Sequence, residues 1–89
     1  MTVRIPTTLR PLSGGASTVE VEAGPLVDVI KRLDAAHAGF QDRLLDDQGN
    51  LRKFVNVFVD DDDVRYLDGL ATEVPDGQTV SIIPAVAGG

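Results

Sequence analysis

The residues that could do chemistry in this chain are few, and the most distinctive stand at its C-terminus, where Val86, Ala87, Gly88 and Gly89 follow a strand-like stretch. A terminal α-carboxylate is ionised at neutral pH and, on a thin arm, can be delivered into the active site of another protein. Five extended residues, 85–89, reach about 17 Å. Gly88 and Gly89, lacking Cβ atoms, can thread a channel that larger residues block. The same small residues also suit a frayed terminus, so the residues alone leave both readings open.

The run Asp60, Asp61, Asp62, Asp63 raises the chemistry of a hard cation. A calcium loop starting at Asp60 calls for an acidic or amide ligand at its fifth position and Gly at its sixth, where Val64 and Arg65 stand. A solvated hairpin turn is expected instead, with a secondary use in steering toward a basic partner. His37, the only histidine, falls near a helix end, where the helix dipole accounts for it. Gly14 and Gly15 form an internal diglycine that reads as a turn. Tyr66 and the Ser and Thr residues stand in no arrangement with a base and an orienting acid. No catalytic residue and no metal ligand is assigned.

The elements that must carry these positions fit one small domain of 89 residues. Val3, Ile5 and Leu9 alternate with Arg4 and Thr8 as a first strand, with Pro6 marking an edge or irregularity. Pro11, Ser13, Gly14 and Gly15 supply a turn, and Val19 and Val21 alternate with polar residues to complete a hairpin. Gly24 and Pro25 open a helix, with Pro25 at its first position. Leu26, Val29, Ile30, Leu33 and His37 recur at spacings of three and four, and the helix is expected to end near Gly39. Residues 40–52 carry Phe40, Leu44 and Leu45 as a short helical turn over the edge of the core, with 46–50 as loop. The stretch 53–59, KFVNVFV, reads as a central strand. Its Val55, Val57 and Val59 face the helix stripe, leaving Phe54, Asn56 and Phe58 on the open side. A short strand at 64–66, a turn at Asp76 and Gly77, and a last strand at 79–84 with Val80 and Ile82 inward complete an α+β domain. The expected architecture is a mixed sheet with one main helix over residues 1–84 and a flexible tail at 85–89. Exposed aromatics often mark an interface, so Phe54 and Phe58, with Ile83, are candidates for partner docking; flanking loops that cover them are the alternative.

Composition narrows the function classes. Eight Lys and Arg against fourteen Asp and Glu give a net charge of -6, a field that repels nucleic acid. The absence of Cys excludes disulfides, thiolate metal sites and cysteine nucleophiles. No leader pattern opens the sequence and no apolar run approaches the roughly 20 residues that span a bilayer, so a cytoplasmic protein without membrane contact is expected. No glycine-rich phosphate loop with a following Lys is present, and no cofactor is expected.

The order of elements is that of the β-grasp, ubiquitin-like fold. The ending Ile83, Pro84, Ala85, Val86, Ala87, Gly88, Gly89 resembles that of the ThiS/MoaD family of ubiquitin-like sulfur carriers. The stretches IPTTLRP at 5–11, FVNVFVDDDDVR at 54–65 and DGQTVSIIPAVAGG at 76–89 are most similar to the actinobacterial carriers of cysteine biosynthesis, and the resemblance covers nearly the whole chain. It implies a protein that is not an enzyme. An ATP-dependent adenylyltransferase and sulfurtransferase resembling ubiquitin-activating enzymes adenylates Gly89, sulfur replaces AMP, and the thiocarboxylate serves a cysteine synthase-like or a thiazole or thiosugar synthase-like enzyme. Alternatives in keeping with the same tail are a ubiquitin-like modifier conjugated to lysines and the small subunit of a molybdopterin-synthase-like complex.

Overall fold

The computed structural model describes residues 1–84. In chain order the elements are β1 (Thr2–Arg4), β2 (Thr18–Glu20), β3 (Gly24–Pro25), α1 (Leu26–Ala36), α2 (Phe40–Leu44), β4 (Val55–Val59), β5 (Asp62–Asp63), β6 (Glu73–Val74) and β7 (Thr79–Pro84). Five strands form a mixed sheet in the order β2-β1-β7-β4-β5. β1 and β7 run parallel, while β1–β2, β4–β7 and β4–β5 are antiparallel. This is the mixed sheet with a main helix expected of the β-grasp fold.

A parallel pair needs a crossover, which the chain between β2 and β7 supplies with α1 on one face of the sheet. Leu26, Val29, Ile30 and Leu33 of α1 are buried, as the spacing predicts, in one cluster with Val3, Val57, Val80 and Ile82. β4 alternates as expected, with Val55, Val57 and Val59 buried and Asn56 and Phe58 half-buried on the opposite face. Phe40 and Leu44 of α2 have no exposed surface, so this short helix closes the core itself and does not merely cover its edge.

Four local expectations are corrected. The first strand stops at Arg4, and Leu9 lies in a 3-10 segment, Thr7–Ser13. Pro6 has no N–H for a ladder and Leu9 N donates to the Pro6 carbonyl at 3.0 Å, starting a turn where alternation suggested a strand. Pro25 is not the first helical residue; it precedes the helix in extended conformation, while Leu26 N donates to the Thr72 carbonyl at 2.9 Å. That contact belongs to a small second sheet, in which β3 pairs with β6. The main helix ends at Ala36, earlier than Gly39, with His37 as its C-terminal cap. Asp34 bridges the break: its Oδ1 accepts the Gly39 and Gln41 N–H groups, both at 3.0 Å, and so ties the start of α2 to α1. Finally, Val64–Tyr66 is a 3-10 turn, and the pairing strand is β5, two residues earlier, because the Asp63 carboxylate accepts the Arg65 N–H at 2.9 Å.

Candidate functional site

Gly89, Gly88, Ala87 and Val86 lie outside the described residues, whereas their point of departure is defined. The last described residue, Pro84, ends β7 opposite Val55 of β4. β7 lies between β1 and β4 in the sheet order, but β1 pairs with it only as far as Ser81, so at Pro84 only β4 stands alongside. Phe54 is the chain neighbour of Val55, the partner of Pro84.

The face of the sheet away from α1 carries Phe58 and Ile83, whereas Phe54, expected within the strand 53–59, lies in the turn just ahead of β4. Phe54 is 54% exposed and Ile83 49% exposed, while Phe58 is half-buried. Register explains the arrangement: Ile83 lies opposite Asn56 and Phe58 opposite Ser81, so all four alternate outward from the buried Val57 and Ile82 pair. Phe58 and Ile83 share a recess of about 310 Å3 with Arg4, Ser81, Asp60 and Asp61. Phe54 stands apart from that recess, on the side of the tail root. No flanking loop buries Phe54 or Ile83.

Arg65, given no role by sequence reasoning, fixes this side of the sheet. Its guanidinium donates to the carbonyls of Arg52 at 2.9 Å and Val55 at 2.7 Å, to the Lys53 carbonyl at 3.5 Å and to Asn56 Oδ1 at 2.6 Å. Three carbonyls around Phe54 are therefore gathered by one planar fork, which holds the backbone from which Phe54 projects. The only sequence signal was an arginine closing an acidic run. Tyr66, 89% exposed, and Leu67 form a further apolar surface that the strand expectation at 64–66 concealed.

Of the acidic run, Asp60 and Asp61 form the expected hairpin turn, while Asp62 and Asp63 are strand β5. Asp60 takes a positive φ of 54°, its carboxylate accepts the Thr79 N–H at 3.1 Å, and its own N–H donates to the Thr79 carbonyl at 2.8 Å. Asp60, Asp61 and Asp62 are exposed to solvent. Among the described residues no group of three or more His, Cys, Asp or Glu side chains could hold a metal ion. His37 is half-buried at the end of α1 and enters no side-chain hydrogen bond with other described residues. Gly14 and Gly15, at φ 66° and 91°, make the turn expected of them. Among the described residues no helix is long and apolar enough to cross a membrane.

The ThiS family profile matches residues 3–89, the whole sheet and the tail together. The chain belongs to the ThiS family. It is 48% identical over 91 aligned positions to the sulfur carrier protein CysO of Mycobacterium tuberculosis, covering 100% of this chain and 98% of that protein. A chain of the Amycolatopsis orientalis BexX/CysO complex superposes with a TM-score of 0.92 at 45% identity, covering 99% of this chain and 98% of that one. Small archaeal modifier protein 3 of Haloferax volcanii is 44% identical over 62 residues, covering 70% of this chain and 66% of that protein. ThiS-family proteins are small carriers and not catalysts, which agrees with a domain whose distinctive chemistry stands at its terminus.

Proposed function

We propose that this protein is a sulfur carrier whose C-terminal Gly89 is activated and loaded by a partner enzyme. The observation that carries the reading is the similarity to sulfur carrier protein CysO over 100% of the chain, in a sequence that ends in Gly88 and Gly89. A free carboxylate resists nucleophiles because oxide is a poor leaving group. A carboxylate oxygen of Gly89 therefore attacks the α-phosphorus of ATP, pyrophosphate departs, and an acyl adenylate forms. Hydrosulfide attack on the carbonyl carbon expels AMP and leaves a thiocarboxylate; attack by a protein persulfide gives an acyl disulfide that a thiol then reduces to the same product. The thiocarboxylate donates sulfur to a biosynthetic enzyme, with cysteine biosynthesis or thiosugar formation as the destinations that the CysO and BexX/CysO relatives suggest.

The surface carrying Phe54, Phe58 and Ile83 docks the activating and sulfur-using enzymes. Its support is the exposure of two of the three and its continuity with Pro84, from which the arm departs. The likeness to a small archaeal modifier supports a second reading, in which activated Gly89 is joined to lysines of other proteins. Intact-mass measurement on protein purified from its own host separates the two. The carrier reading expects a species in which one terminal oxygen is replaced by sulfur. Branched peptides bearing the glycine tail, with no such species, would overturn it in favour of the modifier.

A further inference from the structure

The described chain ends at the rim of a second, larger groove of about 570 Å3, on the β1 side of β7. β1 pairs with β7 only as far as Arg4 and Ser81, and the chain then turns away at Pro6. The end of β7, from Ile82 to Pro84, therefore borders an open trough in place of a neighbouring strand. Its walls include Arg4, Arg10, Ser17, Thr18, Ser81 and Pro84, and among the described residues no Asp or Glu lines it. In a chain with fourteen acidic and eight basic residues this is a locally cationic surface.

The two arginines are also uncommitted. Arg32, Arg52 and Arg65 all direct their guanidinium groups to backbone carbonyls. Arg10 uses only its Nε, which donates to the Ile5 carbonyl at 3.2 Å and so anchors the side chain while its two terminal nitrogens stay available. Arg4 forms no side-chain hydrogen bond with other described residues, and neither arginine forms a salt bridge among them. Arg4 also borders the recess that contains Asp60 and Asp61, whereas Arg10 borders the groove and not that recess.

We infer that this groove is a socket for an acidic segment of the activating enzyme at the mouth of its tail channel, with Arg10 as the principal contact and Arg4 as the second. The inference rests on the carrier reading above. Gly89 is only the fifth residue after Pro84, a reach of about 17 Å. An enzyme that takes Gly89 into its active site must therefore bring its surface down onto the groove. Covering guanidinium groups without an anionic partner is costly, and a carboxylate meets their geometry in bidentate fashion.

The test measures association of the full-length chain with the adenylating enzyme of the same organism, at low and high salt, alongside the denaturation midpoint of each variant. Arg10→Glu is expected to weaken binding at least about 30-fold. Arg4→Glu should weaken it less, and both losses should shrink as salt screens the repulsion. Exchange of one acidic residue at the channel mouth for Lys should restore binding to Arg10→Glu and to no other variant. Arg10→Gln keeps the test open if Arg10→Glu unfolds. Phe58→Ser serves as the control for the docking face. If Phe58→Ser weakens binding and the Arg10 variants do not, the groove proposal fails while the docking reading stands. If none of them weakens binding, the docking reading fails and the groove proposal with it. Tighter binding by Arg10→Glu would show that the groove holds the chain's own tail, and would overturn the proposal.

Discussion

Arg65 and Gly89 mark opposite kinds of residue in this protein, one fixed by many contacts and the other valued for its reactive end. Removing the Arg65 fork in Arg65→Ala frees three carbonyls and Asn56 Oδ1. Because the side chain is exposed, water takes over part of the lost bonding, and the expected cost is about 1–2 kcal/mol, read from urea unfolding. Arg65→Lys should recover only part, since a single ammonium nitrogen cannot serve both the carbonyls held by Nη2 and the Asn56 Oδ1 held by Nη1. Deleting Gly89, or replacing Gly88 with Trp, is expected to abolish adenylation and sulfur loading while the circular dichroism spectrum stays unchanged, because a side chain at this end blocks a narrow channel. Normal loading without Gly89 would be incompatible with the carrier reading.

The helix stripe and the alternation of β4 were legible because each is written in local periodicity. Leu26, Val29, Ile30 and Leu33 needed only a spacing of three and four, and Val55, Val57 and Val59 only a spacing of two. β3, β5 and β6 are two residues each, too short for any period; β5 closes a local hairpin with β4, whereas β3 and β6 rest on contacts distant in sequence such as Leu26 to Thr72. The candidate site divides in the same way. Phe58 and Ile83 follow from alternation, whereas Phe54 lies in a turn ahead of β4, Arg10 lies in a 3-10 segment that reads locally as strand and turn, and the acceptors of Arg65 lie 9 to 13 residues away. Two predictions belong to these elements. Leu33→Ala in the buried stripe should cost about 2–5 kcal/mol of stability, measured by denaturant unfolding. Phe58→Ser on the other face should weaken enzyme binding more than it lowers stability. An unfolded protein, or an unchanged affinity, would return Phe58 to the core.

At the scale of the molecule, a net charge of -6 opposes the approach of an anionic nucleotide, and the carrier reading assigns nucleotide chemistry to a partner. Titration calorimetry with ATP and magnesium on the purified chain is expected to show no micromolar binding; such binding would overturn the passive-carrier reading.

The position of β7 has a mechanical consequence. A partner that draws the arm into a channel applies force at the end of β7, along the strand. β7 is bonded to β1 on one side and to β4 on the other, so a lengthwise pull loads both ladders in shear, with all their hydrogen bonds resisting together. Had the arm left from β5 at the sheet edge, the same pull could have peeled one short strand away bond by bond. On the carrier reading, the sheet can therefore bear a pull along β7 without losing its strands one bond at a time.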